Sequence, residues 1–304
     1  MYILGLGFII GTILGSFAKA IADRSLTKRS FRGRSYCVSC KKTLNWYDLF
    51  PIFSYVFLKG KCRYCRKEIG SEYLLVEVIT GILVGLLFYL QASNFQSFDS
   101  LWSLRTSFQF SIFILDLIFK TFFITILAVL FITDIRKMFI PDRVVIPAIG
   151  ITLIYMVANT IYKVGYLYYY LSQSSLGKLL LPPHSDYFQR HAQITTQPLI
   201  GGVLMGMAIG GFFWALIIIT KGKGMGGGDV KLGALMGLAL GFPNSILALM
   251  IAFLSGAIIS IILILFKRKG LKSVVPFGPF LVLGSLVALF WGNNIVDWYL
   301  KLSI

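Results

Sequence analysis

Two aspartates stand where a hydrophobic chain has little room for acids. Asp134 closes a long apolar segment (FFITILAVLFITDIRK), and Asp229 opens another after a glycine run (KGKGMGGGDVKLGALMG). Both are expected at helix ends on one side of a bilayer. Two carboxylates brought face to face cannot easily both ionise; they share a proton, and such a pair can activate water for attack on a carbonyl. Asp134 and Asp229 are therefore the candidate catalytic residues. Gly226, Gly227 and Gly228 precede Asp229. Glycines tolerate positive φ and carry no side chain, so an extended substrate backbone can approach the acid there. A glycine-rich turn into a helix also suits phosphate, but Lys231 follows the aspartate and no Gly-Lys-Ser/Thr occurs.

The four cysteines form a second constellation, Cys37-Val-Ser-Cys40 and Cys62-Arg-Tyr-Cys65. Paired C-x-x-C motifs with a linker of this size predict a four-thiolate zinc site. The stretch 23–71 holds few apolar side chains, and a tetrahedral metal supplies folding energy that a small core cannot. Four protein thiolates leave no open coordination position, so the zinc is expected to be structural. A redox dithiol pair is the other reading of the same spacing.

The remaining acids sort by position. Asp23, Asp48 and Glu68 are expected as solvated partners of Arg and Lys. Asp99, Asp186 and Asp297 fall in outer loops or the tail. Asp116 and Lys120 are spaced to pair along one helix. Asp142, after Ile140-Pro141, is placed to cap the next helix. Glu72 and Glu77 open the second apolar segment, where an acid suits the helix dipole. Glu77 lies deep enough to be a candidate substrate contact. Other hydrolytic schemes lack their parts: His184 and His191 are the only histidines and fall on the far side, and no His-Glu-x-x-His occurs. A proton-coupled transporter would use the same aspartates, but the repeated halves common in transporters are not visible. A scaffold that recruits partners through the cysteine module would tolerate loss of the acids.

The elements that must position these residues are membrane helices. Hydrophobic residues make up 57% of the 304 and the net charge is +17, with a mean hydropathy of +0.80. Apolar segments at 2–22, 73–91, 111–133, 144–162, 198–220, 231–242, 246–266 and 274–291 predict an all-α polytopic membrane protein of about eight spans, each near the ~20 residues a bilayer requires. Most of the 29 Lys and Arg residues cluster in 23–71, at 136–143, at 221–231 and at 267–272. The positive-inside rule then puts those loops in the cytoplasm and both termini outside. Anionic lipid, not nucleic acid, is the expected counter-charge. The domain plan is a first transmembrane helix at 1–22, a zinc-ribbon-like cytoplasmic module at 23–71, and a helical domain at 72–304 carrying both aspartates. Segment 231–242 is short for a span, which either opens a wet notch beside it or is shielded by neighbouring helices. Residues 163–197 are expected as an interfacial aromatic stretch and a flexible outer loop.

These residues resemble the type IV prepilin leader peptidases, members of the GxGD intramembrane aspartyl proteases. Gly226-Gly227-Gly228-Asp229 is similar to the GxGD box, and Asp134 with Ile140-Pro141-Asp142 to the first aspartate box. Gly15-Ser16-Phe17, the C-x-x-C pairs, Pro51-x-x-Ser54-Tyr55, Glu72 and Glu77 look like the early region. Ala18-Lys19 stands where the family usually has Asn-Val, and the stretch 163–197 is longer than usual. The resemblance implies an aspartic endopeptidase of the bacterial cytoplasmic (inner) membrane. Such an enzyme removes the short basic leader of prepilins or pseudopilins at the cytoplasmic face. It also implies, in many members, N-methylation of the new terminus with S-adenosylmethionine as cofactor, to which no residue here is assigned.

Overall fold

Each long apolar segment folds as a helix, because backbone N–H and C=O groups in hydrocarbon have no water to bond and must pair within the segment. The computed structural model describes residues 2–27, 29–31, 33–37, 39–96, 103–222, 225–266 and 275–302, with the side chains of 94–96 and 103–107 left undescribed. Asp99, Lys28, Arg32, Lys223, Lys267, Arg268, Lys269 and Lys272 lie outside the described residues. No strand occurs among those described. Among the described residues seven helices are long and apolar enough to cross a membrane, and the chain is a multi-pass membrane protein. It divides into two compact units, Met1–Pro141 and Asp142–Ile304.

The first unit holds α1 (Tyr2–Leu26), α2 (Phe53–Phe57), α3 (Glu72–Gln96) and α4 (Ser103–Lys137). Helix α1 packs on α3 and α4. Gly7, Gly11 and Gly15 recur every fourth residue on the buried face of α1; Gly7 meets Gly85 of α3, Gly11 meets Gly81, and Gly15 meets Thr80 and Glu77. A Cβ at Gly11 would lie 2.6 Å from the Thr80 carbonyl oxygen. Lipid offers no hydrophobic force between helices, so close approach at small residues is what holds such a pair.

A charge cluster fastens one end of the same three helices. Lys19 of α1 is 1% exposed. Its Nζ lies 2.9 Å from Asp23 Oδ1 and 3.7 Å from Glu72 Oε2, and 4.4 Å over the Tyr73 ring. Arg136 in the last turn of α4 donates to Asp23 Oδ1 at 2.7 Å and also to Glu72 Oε2. Tyr73 Oη donates to Asp23 Oδ2 at 2.7 Å. Asp23 is thus part of a net-neutral cluster, not the simple solvated partner the sequence predicts. The reason is helical spacing, which sets Lys19 and Asp23 on one face of α1 where α3 and α4 arrive.

The second unit holds α5 (Asp142–Ser172), α6 (Ser175–Leu179), α7 (Tyr187–Ile219), α8 (Gly227–Leu240), α9 (Asn244–Leu265) and α10 (Gly278–Leu302). The expected flexible loop 163–197 is largely helical. Helix α5 runs on through the tyrosines to Ser172, Ser174 caps α6 by accepting from the Gly177 amide at 2.9 Å, and α7 begins at Tyr187 and passes through Pro198. Nothing in 163–172 breaks a helix, and Pro198 is carried by the turns on either side. The short segment 231–242 is α8, 14 residues long, or about 21 Å at 1.5 Å per residue. Leu232, Leu235, Met236 and Leu238 are buried among α5, α7, α9 and α10, so protein shields it. Gly202, Gly206 and Gly210 of α7 lie against Leu238 and Ala234 of α8, Gly237 of α8 lies against Gly206, and a Cβ at Gly237 would lie 2.5 Å from the Met205 carbonyl oxygen.

Gly237→Leu is expected to lower the stability of the detergent-solubilised protein by roughly 1–3 kcal/mol through overpacking. Gly150→Leu, at a position with open space around it, is the control and should leave the thermal midpoint unchanged. Lys19→Met should cost roughly 2–3 kcal/mol, less than a fully buried pair because Asp23 keeps some access to water. An unchanged midpoint for Lys19→Met would show that these charges do not fasten the helices.

Candidate active site

Asp134 sits in the last turn of α4, 5% exposed, directly after the fully buried Thr133. The Thr133 hydroxyl donates to the Val129 and Leu130 carbonyls at 3.1 Å. The Asp134 carbonyl accepts from Met138 N at 2.8 Å, so the helix is still closed there. Arg136, two residues on, is held by the Lys19 cluster. The end of α4 that carries Asp134 is therefore set by charge as well as by packing. Sequence reasoning passed over this cluster. Its signal was present: a lysine inside an apolar run with an acid four residues later.

Asp229 lies in the first turn of α8 and is half-buried. The preceding glycines do not make a left-handed turn. Gly226 is extended, with φ −88° and ψ 154°, and Gly227 already begins the helix. Their lack of side chains leaves room instead: a Cβ at Gly226 or Gly227 would meet nothing within 4 Å. Asp142 opens α5 and pairs with Lys231 of α8 at 2.5 Å. Both side chains keep more than a third of their surface in solvent, so this pair is worth little, about 0–1 kcal/mol. Asp134 belongs to the first unit and Asp229 to the second.

The four cysteines converge. Their sulfurs all lie within 4.8 Å of one another, with Cys37 Sγ and Cys65 Sγ 3.8 Å apart. The two motifs adopt the same local fold. Cys37 N donates to Lys42 O and Lys41 N to Cys37 O; Cys62 N donates to Lys67 O and Arg66 N to Cys62 O. The residue after each second cysteine, Lys41 and Arg66, has φ of 57°. An isolated antiparallel bridge closes each knuckle, Tyr36 with Thr43 and Lys61 with Glu68. Backbone amides, that of Cys40 first, hold the Cys37 thiol down to about 6. At Cys65 the Lys67 amide also pulls downward. Desolvation and the neighbouring Cys62, Cys40 and Cys37 outweigh it and push the thiol up to about 11.

Asp48 departs from its expected solvated state. Its side chain is 3% exposed and bonded to Arg63 Nε at 2.7 Å, because it closes a turn at Asn45 over which Arg63 folds. Asp116 pairs with Lys120 at 2.7 Å, as the spacing predicts. Glu77 is 7% exposed. Its Oε2 accepts from the Ile52 amide at 2.8 Å, so it ties the cysteine module to α3. A cavity of about 1030 Å³ in the first unit is bounded by Ser16, Asp23, Tyr55, Tyr73, Glu77 and Arg136 among others.

Two family models match the chain. Residues 9–91 match the bacterial peptidase A24 N-terminal domain and residues 121–261 match the type IV leader peptidase family. The second match contains both aspartates, the first all four cysteines. A protein of Bacillus subtilis (strain 168) named prepilin leader peptidase/N-methyltransferase is 28% identical over 302 residues, covering 99% of both chains. Proteins of the same name from Aeromonas salmonicida (strain A449) and Pseudomonas aeruginosa are 27% identical over 271 residues and 25% over 269. Each of these alignments covers 88% of this chain and 75% of the relative. No solved structure matches. The chain belongs to the type IV leader peptidase family, a family of aspartic endopeptidases.

Proposed function

We propose that the protein cleaves the basic leader from prepilins or pseudopilins at the cytoplasmic face of a bacterial inner membrane, with both termini outside. The observation that carries this reading is the end-to-end similarity to a prepilin leader peptidase/N-methyltransferase, with Asp134 and Asp229 inside the peptidase match. In this reading the two aspartates share one proton. The ionised partner takes a proton from water, which attacks the scissile carbonyl. The protonated partner donates to the carbonyl oxygen and later a proton passes to the departing amine. The two acid constants then belong to the pair and not to either residue. Gly226, Gly227 and Gly228 leave space for substrate backbone beside Asp229. Glu77 is the proposed contact on the module side, through the part of its carboxylate that Ile52 does not occupy.

The cysteine module is proposed to hold a structural zinc through Cys37, Cys40, Cys62 and Cys65. Tetrahedral zinc with sulfur at about 2.3 Å sets its ligands about 3.8 Å apart, and the Cys37–Cys65 separation is 3.8 Å. A divalent cation also removes the penalty that crowds the last thiol. Residues 23–71 are in this reading a cytoplasmic module between a first helix at 1–22 and the helical domain at 72–304. Methylation of the new amine would require S-adenosylmethionine, which supplies an electrophilic methyl group. In the cavity of the first unit Asp23 and Arg136 already pair with each other and Glu77 holds the Ile52 amide, so no residue is assigned to that cofactor.

Asp134→Asn and Asp229→Asn, tested separately in membranes offered a prepilin, should each lose cleavage by at least the ~10²–10⁴-fold that acid–base catalysis supplies. Asp142→Asn should retain most activity. Mass spectrometry of the new N-terminus reports cleavage and methylation together, and cleavage surviving in either of the first two variants removes the dyad. Purified protein should contain one zinc per chain and lose it in Cys37→Ser; a metal-free protein with four titratable thiols would exclude the metal site.

A further inference from the structure

Helix α2 turns one apolar face away from the rest of the chain. Phe53, Val56 and Phe57 stand at i, i+3 and i+4 and are 62%, 62% and 83% exposed. Phe50, just before them, is 54% exposed. The intervening Ser54, Tyr55 and Leu58 are half-buried, and Tyr55 Oη donates to the Ile69 carbonyl at 3.2 Å. Folding therefore uses the inner face of α2 and leaves a contiguous aromatic face outside, a pattern that marks an interaction surface.

The depth of α2 says what covers that face. Ile52, the residue before α2, donates its amide to Glu77 Oε2. Glu77 lies inside the membrane span Glu72–Ser93, about 7.5 Å beyond Glu72 along the axis at 1.5 Å per residue. The bond pins the start of α2 beside that helix, about a turn and a half in from its first residue. Exposed phenylalanines at that level meet lipid. Lys59 and Lys61 follow directly, and their stems can lie on apolar surface while the ammonium groups reach anionic headgroups.

We infer that α2 is a membrane-inserted element: the face formed by Phe50, Phe53, Val56 and Phe57 buries at the headgroup–acyl boundary of an anionic leaflet. The cysteine module then lies on the lipid surface, held by the Ile52–Glu77 bond on one side and by aromatic insertion on the other. Such a short helix gains membrane affinity from area and charge together, as interfacial segments do.

The test replaces Phe53 or Phe57, in separate full-length proteins, with the photo-reactive residue p-benzoylphenylalanine. Each protein is reconstituted in vesicles of phosphatidylethanolamine and phosphatidylglycerol and illuminated, and the adducts are identified by mass spectrometry. Two positions are used so that misfolding of one variant, recognised by lost zinc and lost prepilin cleavage, leaves the other to decide. The expected result is a phospholipid adduct on the acyl chain at each folded position. No lipid adduct, attachment to headgroups alone, or cross-linking to an added prepilin or to a second copy instead would overturn the inference.

Discussion

Close backbone approach at glycine is the constraint on which the architecture depends. Each unit contains a helix pair built this way: Gly7, Gly11 and Gly15 of α1 against α3, and Gly202, Gly206 and Gly210 of α7 against α8, while Gly284 of α10 approaches the Ala248 backbone of α9 in the same manner. In water such a run of glycines would weaken a helix by about 1 kcal/mol each relative to alanine. In hydrocarbon an unpaired backbone group is so costly that the helix persists regardless, and the absent side chains let two helices touch along their backbones. Helix α8 illustrates the consequence. It is too short to cross by itself, yet it is buried on all sides by longer helices. Its position is fixed by the glycines of α7, not by its own length, and Asp229 in its first turn inherits that position.

Charge does comparable work at the end of α4. Burying Lys19 by itself would be prohibitive, because an ammonium loses its hydration there. Asp23 and Glu72 on one side and Lys19 and Arg136 on the other make two negative and two positive groups in direct ion-pair contact. The cluster is neutral as a whole, and its members come from three different helices. It therefore reports on the assembly of α1, α3 and α4 together, and the last turn of α4, with Asp134, is ordered only where that assembly is complete. The Asp142–Lys231 pair, exposed on both sides, carries no such weight.

What the sequence made legible and what it hid follow from the range of the interactions. The aspartate boxes and the paired cysteines could be read because their spacing is local. The sulfurs converge, as four thiols at those intervals require. The helical spans were readable because apolar length alone specifies a helix in lipid. Features set by distant partners were not readable. Asp23 and Asp48 look like solvated acids until α3, α4 and Arg63 arrive. The stretch 163–197 looks like a loop because tyrosines and prolines suggest one, whereas α5 and α7 continue through it. The glycine spacing on α1 and α7 stood in plain sight, but its meaning depends on which helix lies opposite.

The cysteine module shows how a small element with little core obtains a defined place. Its two knuckles are closed by the same pair of backbone bonds and place Lys41 and Arg66 in the left-handed region, which costs roughly 1–2 kcal/mol per non-glycine residue. Four thiolates brought within 4.8 Å of one another would repel one another. Neither cost is met by apolar burial, since Cys62 is the one buried hydrophobic residue among those described between 27 and 71. A ligand common to all four thiolates offsets both costs at once, because it favours the folded knuckles over any extended chain. A metal held by the four thiolates would order the module internally, while the Ile52–Glu77 bond orders it against α3. These are separate constraints, so loss of metal should disorder the knuckles without by itself releasing α2 from the membrane helix.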